Sequence, residues 1–323
     1  MSKGLEKYNT FQRYFIEEFY DDYIEGSLSR RRFIRRLAFI TGSMGATNAV
    51  MTALGLGVAE IPAATEPMPD PTLFAAQTVP VAGAQSPLSV PEGDPAVQSG
   101  MVAFASQDAE VSAYLAQPTE AGVYPGVLVC HENRGLTEHI KDVARRFAKV
   151  GYVALALDLL AREGGSATID SDQAPGLLSN ADPARHVGDF LAGFGYLQSL
   201  ETVDPERIAM TGFCFGGGIT WRVVTALPGL KAAAPFYGPA PELEQVPNIQ
   251  AAVLGVYAEQ DERVNASKDA LEQALSAAGI THQFNVYPGV GHAFHNDTGG
   301  RYVEAQATQA WNDMLAWFES YLQ

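Results

Sequence analysis

The chain has 323 residues, 47% hydrophobic and 18% charged, which is material for one large α/β core or at most two modest ones. Its net charge of −16 argues against a nucleic-acid partner, because phosphate binding needs a basic surface. Two cysteines in so long a chain exclude a disulfide framework and leave at most one bridge.

The opening stretch, "KYNTFQRYFIEEFYDDYIEGS", has a mixed helical pattern with both charge signs and points to no function. The one basic cluster follows it. Ser29-Arg30-Arg31-Arg32-Phe33-Ile34-Arg35 fits the twin-arginine export pattern, and residues 37–59 then run without a charge, rich in small residues and moderately hydrophobic. Residues 1–59 are therefore expected to be a segment read by the twin-arginine export machinery, which would take the protein to a periplasmic or extracytoplasmic location. Two alternatives stay open. The segment is a basic amphipathic helix docked on the domain or on a membrane, or it is uncleaved and anchors the chain, since about 20 apolar residues span a bilayer. Residues 60–99, rich in Pro, Ala, Ser and Gln without a sustained period, read as a linker, with Ala82-Gly83-Ala84 fitting an A-x-A processing site. The folded domain is expected over 100–323.

From Val102 the pattern alternates. "MVAFAS" and "EVSAYLAQP" read as a hairpin, and "YPGVLVCHE" as a short buried strand ending in polar residues. Ile140, Val143, Ala144, Phe147 and Val150 recur at helical spacing up to Gly151. "YVALALDLL" is the next strand, and the polar residues 164–180 read as a loop bordering the site entrance. Asp182-Pro183 opens a helix through Leu200, and "RIAMTG" is a strand after an Asp204-Pro205 turn. A helix after Gly216, strands "KAAAPFYG" and "AAVLGVYAEQD", a helix over 266–278, strand "HQFNVYP" and a helix over 303–322 complete the chain. This alternation predicts a mostly parallel sheet with helices on both faces, whose function gathers where strands end. No metal-ligand spacing stands out, and no metal or organic cofactor is expected.

One stretch carries the chemistry. "RIAMTG" runs into Gly212-Phe213-Cys214-Phe215-Gly216-Gly217 and then a helix, the G-x-Nuc-x-G arrangement of a nucleophile elbow. The flanking glycines leave room for a tight strand-to-helix turn, and the turn sets Cys214 at a helix N-terminus that favours thiolate. The backbone N–H of Phe215 would then face a developing oxyanion. Such an elbow needs an acid and a histidine later in the chain, in that order, each after a strand. Asp261 follows "AAVLGVYAEQ" and His292 follows "HQFNVYPGVG". Glu259 or Glu262 could substitute for Asp261. His295 is the rival of His292, while His139, His186 and His282 read as surface or flanking residues. In this scheme Cys214 attacks an acyl carbonyl, His292 moves the proton and Asp261 holds the imidazole tautomer.

Rival readings remain. An exported binding domain would keep the fold without the chemistry; an acyl transferase would pass the thioester to an acceptor other than water. Phe213, Phe215, Trp221, Phe236, Tyr237 and Phe294 would line an acyl pocket or simply pack the core. Cys130 ends the strand expected beside the elbow, so a Cys130–Cys214 bridge competes with a small core residue and a free nucleophile.

Taken in order, "CHENRGL", "LDLLAR", "MTGFCFGG", "YAEQD" and "GVGHAFH" resemble the dienelactone hydrolase family, cysteine members of the α/β-hydrolase fold, over about Val102 to Leu322. The resemblance implies hydrolysis of a small lactone or ester through a Cys-His-Asp triad and a thioester acyl-enzyme, the family's activity being the opening of carboxymethylenebutenolide. It implies that Glu132 contacts the resting thiol and gates it, and that Asn133 gives the second oxyanion N–H. Arg162 in "DLLAR" matches one of two arginines that grip a substrate carboxylate. The other position is Asn296, so that clamp is incomplete.

Overall fold

The computed structural model describes residues 4–57 and 80–323. They fall into two compact units, 4–57 with 169–182, and 80–168 with 183–323.

The smaller unit is helical: α1 (Thr10–Ile24), α2 (Arg30–Thr41) and α3 (Met44–Ala53). Each start has a side-chain cap. Asn9 and Gln12 form a reciprocal capping box, Ser29 accepts from Arg32 N–H, and Ser43 accepts from Ala46 N–H. Gly42, at φ 74°, ends α2, so the charge-free run after Arg36 is split between two helices. Among the described residues no helix is long and apolar enough to cross a membrane. Phe33 stacks on Tyr23 at 5.0 Å between ring centres, and the Arg36 guanidinium lies 4.8 Å from the centre of the Phe19 ring.

Residues 169–182 join these helices, so the expected polar loop over 164–180 ends in a helix. Counting on past β1 to β4 and α4 of the larger unit, this helix is α5 (Ala174–Asn180). It crosses α2 closely: a Cβ at Gly176 would meet the Phe39 backbone at 2.8 Å. Asp172 accepts from Arg36 Nε at 2.8 Å and Arg32 Nη2 at 2.9 Å, and Arg35 pairs with Asp170 at 2.9 Å. Asn9 donates to the Ser179 carbonyl, and Asn180 to that of Phe39. Arg30 and Arg31 are exposed on α2, and Arg30 donates to the Gly57 carbonyl.

The larger unit opens with a hairpin, β1 (Val97–Ser106) and β2 (Ala109–Pro118), followed by β3 (Tyr124–Cys130), α4 (Glu138–Lys149) and β4 (Val153–Leu157). After residue 182 come α6 (Pro183–Gln198), β5 (Val203–Phe213), α7 (Phe215–Ala226), β6 (Ala232–Phe236) and β7 (Ala252–Ala258). The chain closes with α8 (Glu262–Asn265), α9 (Lys268–Ala277), β8 (His282–Tyr287) and α10 (Glu304–Tyr321). The sheet order is β1-β2-β4-β3-β5-β6-β7-β8, parallel from β4 to β8 and antiparallel at the hairpin end. Strands β4, β6 and β7 are buried at every residue, which is why they read as unbroken apolar runs rather than alternations. Helix α4 packs on α10 through Phe147 against Trp311, ring centres 4.7 Å apart.

Two expectations shift. Asp204-Pro205 lies inside β5: Tyr124 pairs with Val203 but Gly126 with Ile208, so the strand bulges where proline cannot donate to the ladder. Of the expected linker, residues 60–79 lie outside the described residues, while 80–99 belong to the larger unit. Ser86 N–H donates to Asp297 at 3.1 Å, Val90 N–H donates to Asp142 at 2.7 Å, and the Val90 carbonyl accepts from Arg145 at 2.7 Å. A segment whose backbone is satisfied by distant side chains needs no apolar period of its own.

Burial raises the Asp172 carboxyl, but the hydrogen bonds from Arg32 and Arg36 outweigh it and hold it below the usual range. A depressed carboxyl contributes stability that is present above its unfolded value of about 3.9 and lost as pH falls through the folded one. Asp172→Ala is expected to cost about 3 kcal/mol at neutral pH by removing the carboxylate that accepts from buried Arg36 and from Arg32. The check is limited proteolysis: cleavage between residues 30 and 53 should accelerate in the variant, and in the parent protein only below about pH 4.

Candidate active site

The ends of β3, β5 and β6 converge around Gly212–Gly217. A Cβ at Gly212 would meet the Gly216 carbonyl oxygen at 2.3 Å, and one at Gly216 would meet the Cys130 and His131 carbonyls at 2.5 Å. Only glycine lets the helix start so close to the strands. The turn forces Cys214 to φ 59°, ψ −118°, a region that costs a side-chain residue about 1–3 kcal/mol. Cys214 caps α7, and its N–H donates to the Phe236 carbonyl at 3.1 Å. Phe215 is the first residue of α7, its ring held between His131 and His186.

Both cysteines are free thiols, so no bridge silences the elbow. Burial pushes the Cys130 thiol well up, which keeps it an inert space-filler at the end of β3.

Asp261 follows β7 and caps α8, with Oδ1 accepting from Val264 N–H at 3.3 Å. Its other oxygen, Oδ2, lies 2.5 Å from His292 Nδ1 on the loop after β8. Burial raises the Asp261 carboxyl, but His292, Arg263 and the Val264 N–H together bring it below the usual range. An ionised Asp261 favours the imidazole tautomer with its proton on Nδ1. Cys214 Sγ and a ring nitrogen of His292 lie within 4.8 Å of each other. The Tyr237 ring packs against His292 at 5.0 Å, from a backbone at φ 35°. Burial, then the nearby Glu132, Cys214 and Asp261, push its phenol well up, so it stays protonated beside the three. In the sequence Tyr237 reads only as pocket lining or core packing; the one local signal is its place directly after a buried strand.

His282, at the start of β8, is half-buried as a flanking residue, but His131, His139, His186 and His295 are buried. His295 stacks on Phe213 at 5.0 Å, and burial followed by Arg146 and His139 pushes it well below the usual value, so it is a neutral core residue. His139 is buried with Nδ1 2.9 Å from Asp297, and His186 is fully buried against Phe215. His131 is likewise kept neutral by burial: Nδ1–H donates to the Glu132 carbonyl at 2.6 Å while Nε2 accepts from Leu159 N–H at 3.2 Å. This clamps the loop carrying Glu132 and buried Asn133.

Glu132 accepts from Asn296 Nδ2 at 2.5 Å. All three guanidinium nitrogens of Arg162 have acceptors: Nη1 donates to Asp189 at 2.7 Å, Nη2 to the Ser106 carbonyl and to Asp108, and Nε to Asp108, the last three at 3.3 Å. Asp189 is fully buried and also accepts from Ser106 Oγ at 2.7 Å. A substrate carboxylate reaching Arg162 would have to displace these partners. Arg162→Met is expected to strand the Asp189 charge and to lower stability by about 3 kcal/mol, read as a fall in denaturation midpoint at neutral pH.

The sequence matches the dienelactone hydrolase family over residues 111–322. A Methylorubrum extorquens protein named "Putative carboxymethylenebutenolidase" is 36% identical over 236 residues, 69% of this chain and 81% of that one. The solved structure of a "Putative Dienelactone Hydrolase" from Klebsiella pneumoniae superposes with a TM-score of 0.66 at 34% identity, covering 70% of this chain and all of that one. An acylaminoacyl peptidase of Pyrococcus horikoshii, 16% identical with a TM-score of 0.56 over 70% of this chain and 42% of its own, shares the α/β-hydrolase fold alone. The chain belongs to the dienelactone hydrolase family.

Proposed function

We propose that the protein hydrolyses carboxylic esters or lactones through Cys214, His292 and Asp261. The observation that carries this is the 2.5 Å contact between Asp261 and His292 on loops that bring the imidazole beside an elbow cysteine. The Cys214 sulfur attacks the acyl carbonyl while its proton passes to His292 Nε2. The tetrahedral oxyanion is met by the N–H groups of Phe215 and Asn133. Its collapse breaks the carbon–oxygen bond, and the leaving alkoxide takes the proton back from His292. Water then attacks the thioester with His292 again as base, releasing the acid and restoring the thiol. Glu132 sets the charge of the resting thiol, with Asn296 holding one of its oxygens.

Cys214→Ala is expected to abolish hydrolysis of a short-chain aryl ester and of a dienelactone. Asp261→Asn should cut kcat by about 10³–10⁴, because it offers the imidazole an amide that no longer fixes the tautomer. Full activity in either variant would sink the triad.

The twin-arginine route is a second proposal, favoured by the exposure of Arg30 and Arg31. Changing both to Lys should leave the protein in the cytoplasm, as read by cell fractionation; unchanged export refutes it.

A further inference from the structure

We infer that Asp297 is a positioning residue for turnover: from a fully buried place beyond His292 on the same loop, it fixes the turn that aims the imidazole. The inference rests on the thiol-hydrolase reading above and adds a group to it. The backbone beside the base is strained. Ala293, directly after His292, has φ 64°, a left-handed conformation that a residue with a Cβ adopts only under constraint. The Ala293 carbonyl accepts from Asn296 N–H at 3.1 Å, so a closed turn runs from the base to the residue before Asp297. Such a turn relaxes toward ordinary backbone angles unless its far end is held. Relaxation at Ala293 would swing the imidazole that precedes it.

The hold at Asp297 is directional. Its Oδ2 accepts from Arg146 Nη2 on α4 at 2.8 Å and from Ser86 N–H at 3.1 Å, and its Oδ1 lies 2.9 Å from His139 Nδ1, also on α4. The Asp297 carbonyl accepts from Gln85 N–H and from Gln85 Nε2, both at 3.1 Å, and Gln85 Nε2 reaches the Gly299 carbonyl at 3.3 Å. Phe294 and His295, buried on the same loop, meet only rings at comparable range: Phe294 lies 5.7 Å from Tyr237 and 5.4 Å from Tyr287, and His295 lies 5.0 Å from Phe213. Ring packing keeps those side chains in the core without fixing a direction, whereas hydrogen bonds from two separate parts of the chain fix the end of the turn in both depth and orientation. Asp297 therefore acts on the reaction through the backbone of the turn and the aim of His292.

The test measures kcat and KM for 4-nitrophenyl butyrate on the full chain. Asp297→Ala should lower kcat about 30-fold or more while KM stays within about threefold, because a base misplaced by about 1 Å can cost on the order of 100-fold. Asp297→Asn keeps an acceptor for Arg146 and Ser86, so its kcat should return to within about fivefold of the unaltered protein. Glycine takes the left-handed turn without constraint, so adding Ala293→Gly to Asp297→Ala should raise kcat about threefold or more. Leu275→Ala, a buried change on α9, is the control for lost stability alone: it should lower the denaturation midpoint and leave kcat within about twofold. Where Asp297→Ala does not fold, exposed Gln85→Ala carries the test: kcat should fall about threefold at unchanged KM and recover when Ala293→Gly is added. A folded Asp297→Ala with undiminished kcat overturns the inference. So does an Asn variant as slow as the Ala variant, a loss that Leu275→Ala reproduces, or no recovery with Ala293→Gly. Where only Gln85→Ala folds, an undiminished kcat in it has the same force. Each of these leaves the thiol hydrolase standing while Cys214→Ala is inactive. Turnover that survives Cys214→Ala, or none by the folded unaltered protein, refutes the thiol reading and this inference with it.

Discussion

Everything at the site depends on how near α7 starts to the ends of β3 and β6. The carbonyls of Cys130 and His131 press against Gly216, and the Gly216 carbonyl presses against Gly212, at separations where no Cβ fits. The residue between them has no choice but a left-handed, strained backbone. That strain is offset by the packing of the central sheet, in which β5, β6 and β7 are buried along the runs that meet the elbow. The loops after β7 and β8 bring Asp261 and His292 together beside that thiol.

The His292 loop is held by a buried ionic cluster. Asp297, five positions beyond His292, sits in a cluster with Arg146 at 2.8 Å and His139 at 2.9 Å, while Arg146 also pairs with Asp142 at 2.5 Å. Burial opposes the Asp297 carboxylate, yet His139 and Arg146 hold it well below the usual range. The same two aspartates accept the backbone N–H groups of Ser86 and Val90. One buried ionic layer therefore ties the His292 loop to α4 and to the strip of chain before β1. Such a layer gains little over an apolar one when intact, but losing one member leaves a buried charge exposed to its full desolvation cost.

The parts legible in the sequence are those encoded over short distances. Strands β3, β4, β6 and β7 read as continuous apolar runs, and the strand-to-helix turn at Cys214 and the loops that bring Asp261 into contact with His292 follow from glycine spacing and order along the chain. The parts that were not legible rest on contacts between remote positions. Residues 80–96 look like linker because Asp142, Arg145 and Asp297 satisfy their backbone. Residues 169–182 look like a polar loop because the arginines that neutralise Asp170 and Asp172 lie some 135 to 140 positions earlier. His139 and His186 look like surface or flanking residues until the fold buries them against Asp297 and Phe215, and His295 looks like a rival to His292 until it is seen stacked on Phe213. Asn296 reads as an absent arginine, and only its contact with Glu132 gives it a task.

The division of charge follows from this. The cations near the sheet, Arg145, Arg146, Arg162 and Arg185, are spent on carbonyls and carboxylates of the frame. Under the mechanism proposed above, the Asp261–His292 pair gains most when the imidazole takes the thiol proton, because a neutral ring then becomes a cation facing a buried carboxylate. The attraction is weaker before proton transfer and stronger during it, so it lowers the barrier rather than deepening the ground state.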